Sequence, residues 1–204
     1  LYAYYLASPL NWLLILCPKA YVIEFMTVLI LTKIALSGLT FFLFLSYHFH
    51  LTGKDGVLHA NSRVPAIACG TAYAMCGFVA AYNWNIMWLD CIVLFPLVML
   101  GIEQLVKDGK GLFYAVMLGL SIFFNYYISI MICIFLVIYF FVLFFQKRTK
   151  TLKLFVKRFL TFAGYSLLAG GLAAVMLLPE MYTLMQTHSA DSSFPTKWKF
   201  YENF

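Results

Sequence analysis

The chain has 204 residues, 64% of them hydrophobic and 11% charged, with a mean hydropathy of +0.89. Soluble domains are nearer about half apolar and about a quarter charged, so the composition excludes an ordinary soluble globule and points to an integral membrane protein. The net charge of +6 gives no case for nucleic-acid binding, because the cations fall in short loops between apolar runs and read as topology signals.

Residues 1–18 are apolar but are broken by Ser8-Pro9-Leu-Asn11 and closed by Cys17-Pro18-Lys19. Leu10 to Leu16 is too short for a hydrocarbon core that needs about 20 residues, so an outer interfacial or re-entrant helix is expected over 1–19. The first full span runs over 22–46 and carries Lys33 near its middle. A lysine at that depth either faces protein or water with a partner or snorkels its amine to the boundary. Both readings stand at this point.

Tyr47 to Arg63 is a polar loop with His48, His50, His59, Lys54 and Asp55. Three histidines invite a metal reading, but their spacing fits no standard zinc pattern and no cysteine accompanies them. A solvated loop is expected. The second span, 64–81, has Ala66, Gly70 and Ala74 at four-residue spacing, which lets helices pack closely in lipid.

Then comes Asn83-Trp-Asn-Ile-Met-Trp-Leu-Asp90, with two Asn, two Trp and one Asp between long apolar runs. Trp favours the membrane–water boundary, whereas Asn and Asp in lipid tend to mark a site or a water-filled cavity. An interfacial hairpin with an aromatic belt would give the same pattern. The chain returns through 86–106, where Pro96 predicts a kink, to the charged turn Lys107-Asp-Gly-Lys110.

Leu112 to Phe145 runs for 34 residues without a charge. One straight helix of that length would measure about 51 Å against a core of about 30 Å. The interruption is Asn125-Tyr126-Tyr127, and cations flank both ends of the segment. If both ends are cytoplasmic, the segment is a hairpin of two helices, 112–124 and 128–145, with Asn-Tyr-Tyr at its outer tip. Residues 147–158 read as a basic amphipathic stretch lying on an anionic membrane face. The last span is 159–178, with Ala169, Gly170, Gly171, Ala173 and Ala174 as its packing face, and 179–204 opens an outer loop.

The expected fold is therefore an all-α polytopic membrane protein with about six transmembrane helices plus the short N-terminal segment. With the basic loops inside, residues 1–19, the Asn83–Asp90 stretch, Asn125–Tyr127 and the tail after Pro179 lie outside. Asp90 is about 24 Å of helix from Val106 and falls near the outer edge of the core. Polar and aromatic groups thus converge on one extracytoplasmic face. The chain opens Leu1-Tyr-Ala without Met and without a signal-peptide pattern, and reads as an internal piece of a longer protein. Cys17, Cys69, Cys76, Cys91 and Cys133 sit in or beside apolar runs and read as small hydrophobes.

Aromatic faces with scattered Asn and Asp suit sugars, offering ring contacts together with hydrogen bonds. The substrate-binding candidates are Asn83, Trp84, Asn85, Trp88, Asn125, Tyr126 and Tyr127. Asp90 is the candidate catalytic carboxylate, ordering or deprotonating an acceptor hydroxyl; an aspartate near a helix start also favours the helix dipole, and that alternative stays open. There is no phosphate loop, Gly-x-Ser-x-Gly or His-Glu-x-x-His, so a donor presented within the membrane fits better than a soluble nucleotide. No metal-ligand set is identifiable, and a divalent metal remains an open cofactor.

Four stretches carry a resemblance: Ala3-Tyr-Tyr-Leu-Ala-Ser-Pro-Leu-Asn11, Lys33-Ile-Ala-Leu-Ser-Gly-Leu-Thr-Phe41, Tyr82-Asn-Trp-Asn-Ile-Met-Trp-Leu-Asp90 and Asn125-Tyr-Tyr127. In order and spacing they resemble the bacterial membrane protein YfhO family. The resemblance implies a type C glycosyltransferase-like membrane domain with its site on the outer face of the bacterial cell membrane. It also implies transfer of a sugar from a polyprenyl-phosphate carrier to an envelope polymer such as lipoteichoic acid. The acidic residue expected in that family's first outer loop would precede Leu1. On this reading Lys33 and His188 are candidates for contact with the lipid phosphate. A lipid-linked sugar transporter or flippase, which interrupted helices also suit, and a noncatalytic envelope-assembly subunit are the alternatives.

Overall fold

The computed structural model describes residues 7–49, 60–146 and 151–186. The elements are α1 (Pro9–Trp12), two short 3-10 turns (Leu13–Leu16 and Lys19–Tyr21), α2 (Val22–His48), α3 (Ala60–Ala74), α4 (Gly77–Tyr82), α5 (Ile86–Asp108), α6 (Leu112–Phe124), α7 (Tyr126–Phe145), α8 (Leu152–Leu172) and α9 (Ala174–Met185). No strand occurs among the described residues. Four segments are long and apolar enough to cross a membrane: 19–48, 63–82, 86–108 and 126–145. α8 and α9 pass the same test only as a pair bent by 73°, a broken span or a re-entrant loop. α6, with 13 residues, is only about 20 Å long and falls short of a full span. The chain is an all-α polytopic membrane protein.

Side-chain pairs fix the helix directions. α2 and α5 run parallel, joined by Lys33–Asp90 near one end and His48–Glu103 near the other. α3 runs antiparallel to α2, with Gly70 on Gly38. α6 and α7 form the expected hairpin about Asn125: the hydroxyls of Ser121 and Ser129, four residues either side of it, are 2.8 Å apart. α8 returns alongside α6 through Tyr114–Ser166 and antiparallel to α7 through Phe140–Phe162 and Phe144–Phe155. One end of the bundle thus gathers residues 17–21, 83–85, 125 and 173. The turns around 49 and 109–111, the end of α7 at Gln146 and the start of α8 at Thr151 lie at the other.

α5 is the central element, with Leu94, Val98, Ile102 and Leu105 buried among α2, α6 and α7. Pro96 sits inside it without ending it. A proline cannot donate to the carbonyl four residues back, and lipid offers that carbonyl no water. Here the Ile92 carbonyl accepts a 2.8 Å hydrogen bond from the Tyr73 hydroxyl, while the Tyr73 ring stacks on Phe41 at 4.5 Å. The freed carbonyl has become a tie between α2, α3 and α5. α5 ends at Gly109, whose φ of +82° is a left-handed cap that favours glycine. The Arg158 guanidinium lies against the same helix end and donates to the Leu105 and Lys107 carbonyls.

The small-residue spacing on α3 is used as expected. A Cβ on Gly70 would stand 2.9 Å from the Gly38 carbonyl oxygen, so the two backbones touch. The expected packing face around the end of α8 is narrower: Ala169 and Ala173 are buried against the bundle, but Gly170 and Gly171 face open space.

Three boundaries differ from the sequence reading. The 64–81 span is interrupted at 75–76, between α3 and α4. Residues 152–158 are the first turns of α8 rather than a separate stretch, with Phe155 and Phe159 on one apolar stripe that Phe140 and Phe144 meet. The 159–178 span bends by 73° between α8 and α9, just after the Gly170–Gly171 pair and ahead of Pro179, where helix-forming preference is weak. Of the loop 47–63, residues 50–59 lie outside the described residues, as does the tail after 186.

Candidate functional site at the polar–aromatic end

Lys33 has no solvent exposure. Its three N–H groups are shared among four acceptors: Asp90 Oδ2 at 2.7 Å, Asn11 Oδ1 at 2.9 Å, the Ile86 carbonyl at 3.2 Å and Ser8 Oγ at 3.5 Å. Of the two sequence readings, the partnered one is correct. The reach follows from helix geometry: Cα–Cβ bonds tilt toward the helix N-terminus, so a lysine eleven residues into α2 sends its amine up toward the level of Asp90, one turn into α5. Asp90 is only 4% exposed. A buried ion pair is favoured when the remaining hydrogen-bond capacity is met, and on the lysine side Asn11, Ser8 and the Ile86 carbonyl meet it. The pair thereby pins the N-terminal segment onto α2 and α5. Ser8-Pro9-Leu-Asn11, read from sequence as an interruption, is in fact a set of ligands for Lys33.

Two polar atoms in the first turns of α5 stay open. Asn85 is buried, yet its Nδ2 has no hydrogen-bond partner among the described residues, and an orphaned buried donor needs an explanation. Asp90 Oδ1 accepts nothing from the described residues, its sister oxygen alone being held by Lys33. By contrast, Asn83 and Trp84 turn their N–H groups back onto the Ala80 and Ala81 carbonyls at 3.1 and 3.2 Å, satisfying the last turn of α4.

The rings form a shelf at this end. Trp84 is 68% exposed. Trp88, half-buried, has Phe78, Tyr82 and Tyr127 around it, with ring centroids at 6.3, 5.7 and 6.3 Å. Tyr127 is exposed and Tyr126 partly so. Asn125 faces inward: its Oδ1 accepts from the Ile128 N–H at 3.0 Å and caps α7. The Cys91 thiol lies against the Ser121 and Asn125 carbonyls and the Ser129 hydroxyl, a closed polar knot under the hairpin tip. Asn125 is therefore a framework residue in this arrangement. His188 lies outside the described residues.

The structure thus brings Lys33, Asn85, Trp84, Trp88, Asp90 and Tyr127 to one end of the bundle. No cluster of three or more His, Cys, Asp or Glu that could hold a metal occurs among the described residues. The Lys33–Asp90 pairing and its Ser8 and Asn11 ligands escaped sequence reasoning, although two lone charges of opposite sign in apolar helices are a signal for such a pair. Glu103, buried near the other end of α5, was missed as well.

No curated protein and no solved structure matches the chain. The family model described as "Bacterial membrane protein YfhO" matches residues 1–204, the whole chain. With the helical bundle and this match together, the chain belongs to the bacterial membrane protein YfhO family.

Proposed function

We propose that the full-length protein is a membrane glycosyltransferase that moves a sugar from a polyprenyl-phosphate carrier to an envelope polymer, lipoteichoic acid-like, on the extracytoplasmic face. The observation that carries this reading is the make-up of the first turns of α5. An unpartnered buried amide at Asn85 and an open carboxylate oxygen at Asp90 lie within two turns of the exposed Trp84 ring. Trp84, Trp88 and Tyr127 offer ring faces to the C–H surface of a sugar, and Asn85 Nδ2 donates to one of its oxygens.

In the transfer, the bond from the anomeric carbon to the carrier phosphate breaks and a bond from that carbon to the acceptor hydroxyl oxygen forms. The hydroxyl proton passes to a carboxylate, and polyprenyl phosphate leaves. Asp90 Oδ1 is the proposed acceptor of that proton or the group that orients the hydroxyl. Lys33 holds Oδ2 and fixes the carboxylate; with no exposure of its own, it acts through Asp90 rather than on the departing phosphate. The positive-inside rule supports placing this end outside.

The test uses full-length protein in proteoliposomes with labelled polyprenyl-phosphate sugar and a polyol-phosphate acceptor. Label on the acceptor with release of polyprenyl phosphate is the expected result. Trp84→Ala, at an exposed ring, should cut transfer at least tenfold with an unchanged melting temperature, and Asp90→Asn should abolish it in protein shown to be folded. The interruptions at 75–76 and 125 and the 73° bend favour the flippase as second reading. It requires intact donor to cross the bilayer without transfer, and that outcome would overturn the transferase.

A further inference from the structure

A second polar site lies at the opposite end of α5, near the basic turns. Glu103 is buried, and its Oε1 accepts two short hydrogen bonds, from His48 Nδ1 on α2 and from the Tyr139 hydroxyl on α7, both at 2.6 Å. Beside it is a cavity of about 240 Å³ lined by Tyr47, His48, Glu103, Lys107 and Gln146, with Leu143 below. Glu103 Oε2 and His48 Nε2 receive nothing from the described residues, and both residues line the cavity. With Nδ1 held by Glu103, His48 keeps Nε2 for a further partner. A carboxylate oxygen and an imidazole nitrogen without partners among the described residues thus belong to two residues that line one small space.

The opposite charge is one turn away. Lys107 follows Glu103 by four residues on α5, so their Cβ atoms are about 5–6 Å apart. Its ammonium lies 5.9 Å from the Tyr47 ring centroid, and Gln146 contributes a side-chain amide to the same wall. A carboxylate, a cation and an amide residue around one cavity match a zwitterion whose primary ammonium and phosphate are linked by a short chain. The apolar Leu143 and Val106 walls, in a protein with membrane-spanning helices, suit a zwitterion attached to acyl chains.

We infer that this cavity binds the headgroup of an ethanolamine phospholipid from the leaflet at the basic end: its ammonium donates to Glu103 Oε2, beside His48, and its phosphate meets Lys107 and Gln146. A choline headgroup has no N–H to donate and is the natural control. The site is independent of the transferase reading.

The experiment is native mass spectrometry of the full-length protein, titrated with phosphatidylethanolamine and phosphatidylcholine of identical chains. The ethanolamine lipid should bind at least tenfold more tightly, and Glu103→Gln should bring it down to the choline level. Because Glu103→Gln also weakens the ties to His48 and Tyr139, Lys107→Gln on the exposed turn is the second variant. It should weaken both lipids by the same factor while the melting temperature holds. Equal binding of the two lipids by the wild type, or a Lys107→Gln variant with unchanged affinities, would overturn the assignment. So would tighter binding of phosphatidylglycerol than of the ethanolamine lipid. Full competition by soluble phosphoethanolamine at equal concentration would overturn the lipid source and give the site to a soluble phosphorylated amine.

Discussion

Replacing Lys33 by Met is the sharpest perturbation the structure offers. Met fills nearly the same path through the bundle but ends in a thioether, so Asp90 stays buried with its Oδ2 no longer paired. Asn11 Oδ1, Ser8 Oγ and the Ile86 carbonyl lose the same donor. Breaking one side of a buried pair costs about 3–5 kcal/mol, and about 4 kcal/mol is close to a thousandfold in the folded-to-unfolded ratio. Replacing both charges at once, as Lys33→Met with Asp90→Leu, removes the orphan and should cost only about 1–2 kcal/mol, since apolar substitutes for buried pairs are often near neutral and the residual is the unanchored Asn11. The two single variants and the double, unfolded in mixed micelles by rising denaturing detergent, form a double-mutant cycle. The expected coupling is at least about 2 kcal/mol, with the double more stable than Lys33→Met alone. A Lys33→Met protein within about 1 kcal/mol of wild type, or a double variant as unstable as the sum of the singles, would refute the claim that this pair holds the polar–aromatic end together.

Other perturbations test separate joints. Tyr73→Phe leaves the Ile92 carbonyl, already deprived of a helix partner by Pro96, without a donor; a loss of about 1–3 kcal/mol is expected in the same unfolding assay, and Pro96→Ala should restore most of it. Asn125→Ala removes the cap on α7 and should cost about 1 kcal/mol, read as faster amide exchange at Ile128. Gly70→Leu drives a side chain into the Gly38 carbonyl and should cost about 1–3 kcal/mol, whereas Gly170→Ala, in open space inside α8, should stabilise by up to about 1 kcal/mol.

Much of the fold was legible in the sequence because lipid makes hydropathy a strict code. Backbone groups in hydrocarbon must bond within their own segment, so long apolar runs become helices and polar breaks become ends. The hairpin about Asn125 followed from a run too long for one crossing, and the Ala66–Gly70–Ala74 spacing marked the face that meets α2. Helix breaks inside apolar runs were not legible. The interruption at 75–76 and the bend after Leu172 depend on small local preferences and on neighbours, which hydropathy does not record.

The site divides in the same way. That Lys33, Asp90, Asn85 and Trp84 are anomalous where they stand was determined by the sequence alone, since polar groups in an apolar run need a reason. That Lys33 belongs to Asp90, that Ser8 and Asn11 complete its shell, and that Glu103 gathers His48 and Tyr139 was decided only by tertiary structure. These partners stand 22 to 57 residues apart, and no local pattern ties a charge on one helix to a particular carboxylate on another. The choice is made when the parallel packing of α2 on α5 sets the relative depth of each side chain, because a charge sealed from water settles on whichever partner that depth brings within reach.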